Sequence, residues 1–182
     1  MKDLSSHILD IVQNSIRANA RRIGIELEED LLRDRLTVRI EDDGDGMDEE
    51  TLRRVRDPFY TSRTVRKVGL GIPLLTQNAE RTGGSVTIES ALGKGTVLTA
   101  TFTHSHLDRP PLGDIAGTLA LLTAANPERE FVYRHTSGKG EYRFDTREVR
   151  QLLGEVPVND PEIVRAIREL IAENVSEISE EG

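Results

Sequence analysis

The segment Ile40-Glu41-Asp42-Asp43-Gly44-Asp45-Gly46-Met47 constrains the fold more than any other stretch of the chain. Leu36, Val38 and Ile40 alternate with Arg39 and Glu41 at the period of a half-buried strand, so Asp42 continues the inward-facing row. The glycines that follow turn the chain away. A carboxylate is thus directed into the core, where an unpartnered charge is costly. Either a group in a cavity hydrogen-bonds Asp42 or the side chain stays protonated, and a bound ligand is expected. A calcium loop beginning at Glu41 does not fit. Its twelfth position is Leu52 instead of a bidentate glutamate, and a strand leads into it where an EF-hand needs a helix.

The flanking pattern mixes helices and strands. Leu4, Ile8, Ile11, Val12 and Ile16 recur at helical spacing between Leu4 and Asn19, with Asp3 or Ser5 available as a cap. His7, Asp10, Asn14 and Arg17 share another strip of that helix, which taken alone reads as a solvated face. Ile23, Ile25 and Leu27 pair with the Leu36 to Asp42 strand as a hairpin. Asp48 caps a short helix through Arg56, which Asp57-Pro58 breaks. A polar, basic stretch from Thr61 to Gly69 has the makings of a lid, and Gly69-Leu70-Gly71 opens a helix running to Thr82. The free amides of such a helix start form an anion site. Strands at Ser85 to Ser90 and Thr96 to Thr103 complete a two-layer α/β sandwich, with helices on one face of a mixed, mostly antiparallel sheet.

Residues 1–103 make up this sandwich, and residues 104–112, with Pro110-Pro111, read as a linker in which His104 and His106 are solvated. Residues 113–182 read as a small C-terminal α+β appendage. It comprises a helix from Asp114 to Ala125, a hairpin of Phe131 to His135 with Tyr142 to Phe144, a helix between Asp145 and Gly154, and a last helix opening at Asp160-Pro161-Glu162. This unit carries no catalytic constellation, so an interaction or regulatory module for a protein partner is expected. Its acidity is also the greater: residues 1–103 hold 17 acids and 15 bases, residues 104–182 hold 15 and 9. The formal net charge of -8 weighs against nucleic acid or an anionic membrane as the main partner. The absence of cysteine excludes disulfides and thiolate chemistry. No apolar run approaches the ~20 residues of a membrane helix, Met1-Lys2-Asp3 does not open a signal peptide, and a cytoplasmic location is the expectation.

Asn14, the Asp42-x-Gly44-x-Gly46 turn, the Gly69-Leu70-Gly71 helix start and Gly93-x-Gly95-Thr96 occur in one order on these elements. Together, over Leu4 to Phe102, they resemble the Bergerat or GHKL ATP-binding fold of DNA gyrase B, the heat-shock chaperones, the histidine kinases and the MutL proteins. The resemblance implies ATP and Mg2+ as cofactors. It makes Asn14 the magnesium ligand, Asp42 the adenine reader, Gly44, Gly46 and Met47 the backbone beside the base, and Thr96 the hydroxyl supporting Asp42. Gly69, Leu70 and Gly71 would meet the phosphates, with Arg17 near them and Arg63 and Lys67 closing the lid. Asp57-Pro58-Phe59-Tyr60-Thr61-Ser62 is similar to a histidine-kinase box, whereas Gln13 to Ile23 is similar to MutL.

Hydrolytic members carry a glutamate one turn before that asparagine, and here Asp10 holds the place. Its carboxylate stops roughly 1.5 Å short, and misplacement on that scale costs ~100-fold in rate. A slow ATPase acting as a regulatory switch is therefore expected, with Asp10 as general base and ATP or ADP bound. Two alternatives stay open. One is a protein kinase acting in trans, of the anti-sigma serine kinase or stand-alone histidine-kinase kind, since the chain leaves no room for a phosphoacceptor helix before Leu4. The other is a non-catalytic nucleotide sensor. A homodimer is compatible with each.

Overall fold

The computed structural model describes residues 2–57 and 71–181. The expectations placed on Arg63, Lys67, Gly69 and Leu70 lie outside these residues. In chain order the elements are α1 (Leu4–Arg17), β1 (Arg22–Asp30), β2 (Arg35–Asp42), α2 (Glu49–Val55), α3 (Gly71–Arg81), β3 (Ser85–Ser90), β4 (Thr96–Thr103), α4 (Ile115–Ala125), β5 (Glu130–Ser137), β6 (Gly140–Asp145), α5 (Thr146–Leu153) and α6 (Pro161–Ile178). Aspartate sets the helix starts: Asp3, Asp48, Asp114, Asp145 and Asp160 each accept from a first-turn amide. Each such cap contributes about 1 kcal/mol.

The sheet runs β3-β4-β2-β1-β5-β6. All neighbours are antiparallel except β1 and β5, which run parallel in register from Arg22 opposite Glu130 to Glu28 opposite Thr136. Alternation decides the faces. Ile23, Ile25 and Leu27 of β1, Leu36, Val38 and Ile40 of β2, Leu98, Ala100 and Phe102 of β4, and Phe131 and Tyr133 of β5 are buried in one core under the helices. Glu26, Glu28, Glu41 and Arg134 are exposed on the open face. This is the α/β sandwich expected, with helices on one face of a mixed, mostly antiparallel sheet. The C-terminal hairpin does not build a sheet of its own, because β5 joins the edge of β1 and extends the existing one.

A buried polar cluster anchors that extension. Glu29, on the inward phase of β1 and only 4% exposed, receives the Nε2 atoms of His135 at 2.8 Å and His104 at 3.0 Å, and the Glu180 amide at 3.1 Å. The Tyr133 hydroxyl lies 3.0 Å from His135 Nδ1. Burial pushes the Glu29 carboxyl up, but the bonds from His135, His104 and the Glu180 amide outweigh it and hold the group down at about 2. His104, expected as a solvated linker residue, is instead buried on this carboxylate. Residues 104–112 are bound at both ends: Leu4 and Ser5 amides donate to the carbonyls of Pro111 and Leu112, and Arg109 pairs with Glu181 at 2.7 Å. The start of α1 is thereby tied to the chain's last turn.

Candidate nucleotide site

Asp42 ends β2 opposite Thr96 of β4, inward as its period requires and 8% exposed. Both carboxylate oxygens have donors: Ser15 Oγ reaches Oδ2 at 2.6 Å and the Gly44 amide reaches Oδ1 at 2.9 Å. Each oxygen keeps an acceptor site for another partner. The turn after Asp42 is wedged between the end of α1 and the β3–β4 connection. Asp45 donates its amide to Ala18 O at 2.7 Å, and its own carbonyl accepts from Gly93 at 2.7 Å. A Cβ at Gly46, where φ is +72°, would lie 2.0 Å from Ala91 O, so only glycine fits. Asp43 fixes the outer side. Partial burial raises its carboxyl, but the Arg22 and Arg21 amides, at 3.0 and 2.8 Å, hold it below the usual carboxylate range.

Asp42 lines a cavity whose walls are Ile11, Ile40, Ile72, Ile88 and Leu98, with Asn14, Ser15, Ala18, Gly46, Met47 and Thr96 completing the rim. Thus Asn14, Asp42, Gly46, Met47 and Thr96 line one cavity. Thr96 differs in its partner: its hydroxyl sits 2.8 Å from Ser90 Oγ, which also receives the Met47 amide at 2.8 Å. The hydroxyl in direct contact with Asp42 is that of Ser15. The sequence did hold a signal for it, since Ser15 falls seven residues after Ile8 and four after Ile11, on the apolar stripe of α1.

The other strip of α1 is less solvated than its charges suggest. His7 is buried, with Nε2 2.8 Å from Asn78 Nδ2 on α3, which corrects its reading as a solvated helix-face residue. Burial and then the Lys2 charge push its imidazole down, while Asp10 and Asp3 pull the other way. Asp10 pairs with Lys2 and packs against Gly71, the first residue of α3: a Cβ there would lie 3.2 Å from Asp10 Cβ. Asn14 Oδ1 accepts from Arg17 Nη1 at 2.9 Å, whereas its Nδ2 is buried with no partner among the described residues. Asp10 and Gly71 therefore meet where α1 faces the start of α3, one helical turn from Asn14; of the three, Asn14 lines the cavity, whereas Asp10 and Gly71 are not among its lining residues. Lys2 had no sequence signal, because the contact depends on how the chain enters α1.

Residues 2–106 match the model of the histidine kinase-, DNA gyrase B- and HSP90-like ATPase family. The chain belongs to this family. A putative sensor protein of Shewanella frigidimarina is 29% identical over 109 residues, 59% of this chain and 17% of that protein. Sporulation kinase C of Bacillus subtilis is 28% identical over 94 residues, 52% of this chain and 22% of the kinase. The chain spans less than a quarter of the length of either relative. Among solved structures, the Aquifex aeolicus MutL ATPase domain complexed with ADP superposes with a TM-score of 0.51 at 15% identity, over 84% of this chain and 69% of that one. The N-terminal domain of a DNA repair protein gives a TM-score of 0.57 at 17% identity, over 80% and 52%. At such identities they establish the fold. Their coverage requires that the likeness of this family member extend beyond residue 106, into the segment that carries α4 and the hairpin.

Proposed function

We propose that this chain binds Mg-ATP in the cavity that Asp42 lines and hydrolyses it slowly, the bound nucleotide serving as a regulatory switch. The observation that carries the reading is a buried carboxylate, anchored by Ser15 and Gly44, at the floor of an apolar cavity. In this reading Asp42 accepts from the exocyclic amine of adenine; guanine presents an acceptor there and would leave the carboxylate unpaired. The isoleucine and leucine walls give a flat base its apolar surroundings. Asn14 lines the cavity, and its neutral carboxamide oxygen, which accepts from Arg17 Nη1 at 2.9 Å, is of the donor type that suits a hard cation already facing a triphosphate. Magnesium would supply charge neutralisation on the phosphates.

The remaining roles follow from position. Asp10, one turn before Asn14, acts as general base, and its short side chain makes turnover slow. Gly71, with Gly69 and Leu70 before it, offers amides to the phosphates; Arg17, Arg63 and Lys67 supply positive charge. Residues 113–181 engage a protein partner that reads the nucleotide state. A second reading, phosphotransfer to another protein, is favoured by the kinases among the relatives.

Calorimetric titration with ATP, ADP and GTP, with and without magnesium, tests the first reading. ATP and ADP bind, and GTP binds at least about tenfold more weakly. Turnover measured afterwards falls in Asp10→Asn. Absence of ATP binding overturns the reading, and unchanged turnover in that variant removes Asp10 as base. Transfer of labelled phosphate to a second protein selects the kinase alternative.

A further inference from the structure

We infer that Lys2 sets nucleotide affinity according to phosphate number, its ammonium cancelling the Asp10 charge beside the start of α3. The inference rests on the ATP-site reading above. Lys2 precedes α1, yet its Nζ turns back onto Asp10 Oδ2. That carboxylate lies beside the start of α3: a Cβ at Gly71 would stand 3.9 Å from Oδ2 and 3.2 Å from Asp10 Cβ. Any anion drawn to the start of α3 therefore meets a carboxylate beside it. Left alone, Asp10 would repel a polyphosphate.

The neighbouring charges do not neutralise it. Arg17 reaches Asn14 Oδ1 and makes no ion pair with Asp10 among the described residues, Asp3 is the α1 cap on the Ser6 amide, and His7 is buried against Asn78 with its imidazole held below its ordinary proton affinity. Among the described residues, Lys2 is the cation in contact with Asp10. Both side chains are close to two-fifths exposed, so the pair remains screened by water and its effect moderate.

Titration of the full chain with ATP, ADP and adenosine tests the assignment. Lys2→Ala weakens ATP by about fivefold at low salt, the factor that one like-charge contact in a water-like medium produces. ADP loses less, adenosine is unchanged, and added salt narrows the gap. Lys2→Arg keeps the wild-type order, and Asp10→Asn placed on Lys2→Ala restores ATP affinity because the uncompensated charge is gone. Equal losses for ATP and adenosine, an unchanged ATP affinity, or no rescue by Asp10→Asn would overturn the role of Lys2. Failure of the wild-type chain to bind any of these ligands would instead remove the site reading itself, and Lys2 with it.

Discussion

Asp42 and Glu29 are acids on the inward phase of adjacent strands, and their partners separate their roles. Asp42 has two donors and faces a cavity; Glu29 has three and is sealed by His104, His135 and the last turn of the chain. The second arrangement is structural, and it carries a pH signature. Held at about 2 against an ordinary 4.5, Glu29 contributes stability that is fully present above pH 4.5 and is lost as pH falls towards 2. A shift of that size corresponds to about 3 kcal/mol. The stability gap between wild type and Glu29→Gln, measured by urea denaturation, should therefore shrink by that amount across this window. A gap independent of pH would show that the histidines do not hold the carboxylate ionised. His7 acts in a separate window: its lowered imidazole removes stability as pH drops below 6.5. Asp42 was legible as an inward acid from strand period; Glu29, read with the charged turn after Leu27, continues the same phase, and only contact geometry tells which acid faces a ligand.

Element boundaries were legible because capping chemistry is local. The aspartates before α1, α2, α5 and α6 marked their starts, and Gly154, at φ +60°, ends α5 as expected. What local sequence could not supply was the packing of one turn onto another. The Asp42 to Met47 turn needs glycine for two distinct reasons, positive φ and close approach, and the β3–β4 connection isolates the first. Gly93 also has positive φ, +75°, but a Cβ there meets nothing within 4 Å, whereas at Gly46 it meets Ala91 O at 2.0 Å. Gly93→Ala should cost about 1–2 kcal/mol of backbone strain. Gly46→Ala should cost more and weaken nucleotide binding as well, because the turn must leave α1 and Ala91. Thermal unfolding of both variants measures this, and equal costs would mean that close approach plays no part.

At the scale of the molecule, a division at residues 104–112 follows composition, whereas the hydrogen bonds cross it. The β1–β5 pairing joins residues about a hundred positions apart, and no local pattern announces a parallel partner at that separation. A fragment ending at residue 106 would leave the Arg22 to Glu28 edge of β1 unpaired and uncover the part of α1 that packs against α4. It should aggregate or unfold without a cooperative transition, as exposed strand edges and apolar faces dictate. A monomeric, cooperatively folding fragment would contradict this. The nucleotide site depends on the same unity, because α1, β2, α3 and β4 each contribute to one cavity around one buried acid. The most direct test is the affinity of Asp42→Ala for adenosine, set against wild type by calorimetry. Loss of a charged hydrogen bond to the base should weaken binding by about 10–100-fold while the fold persists. An adenosine affinity equal to that of wild type would contradict the account.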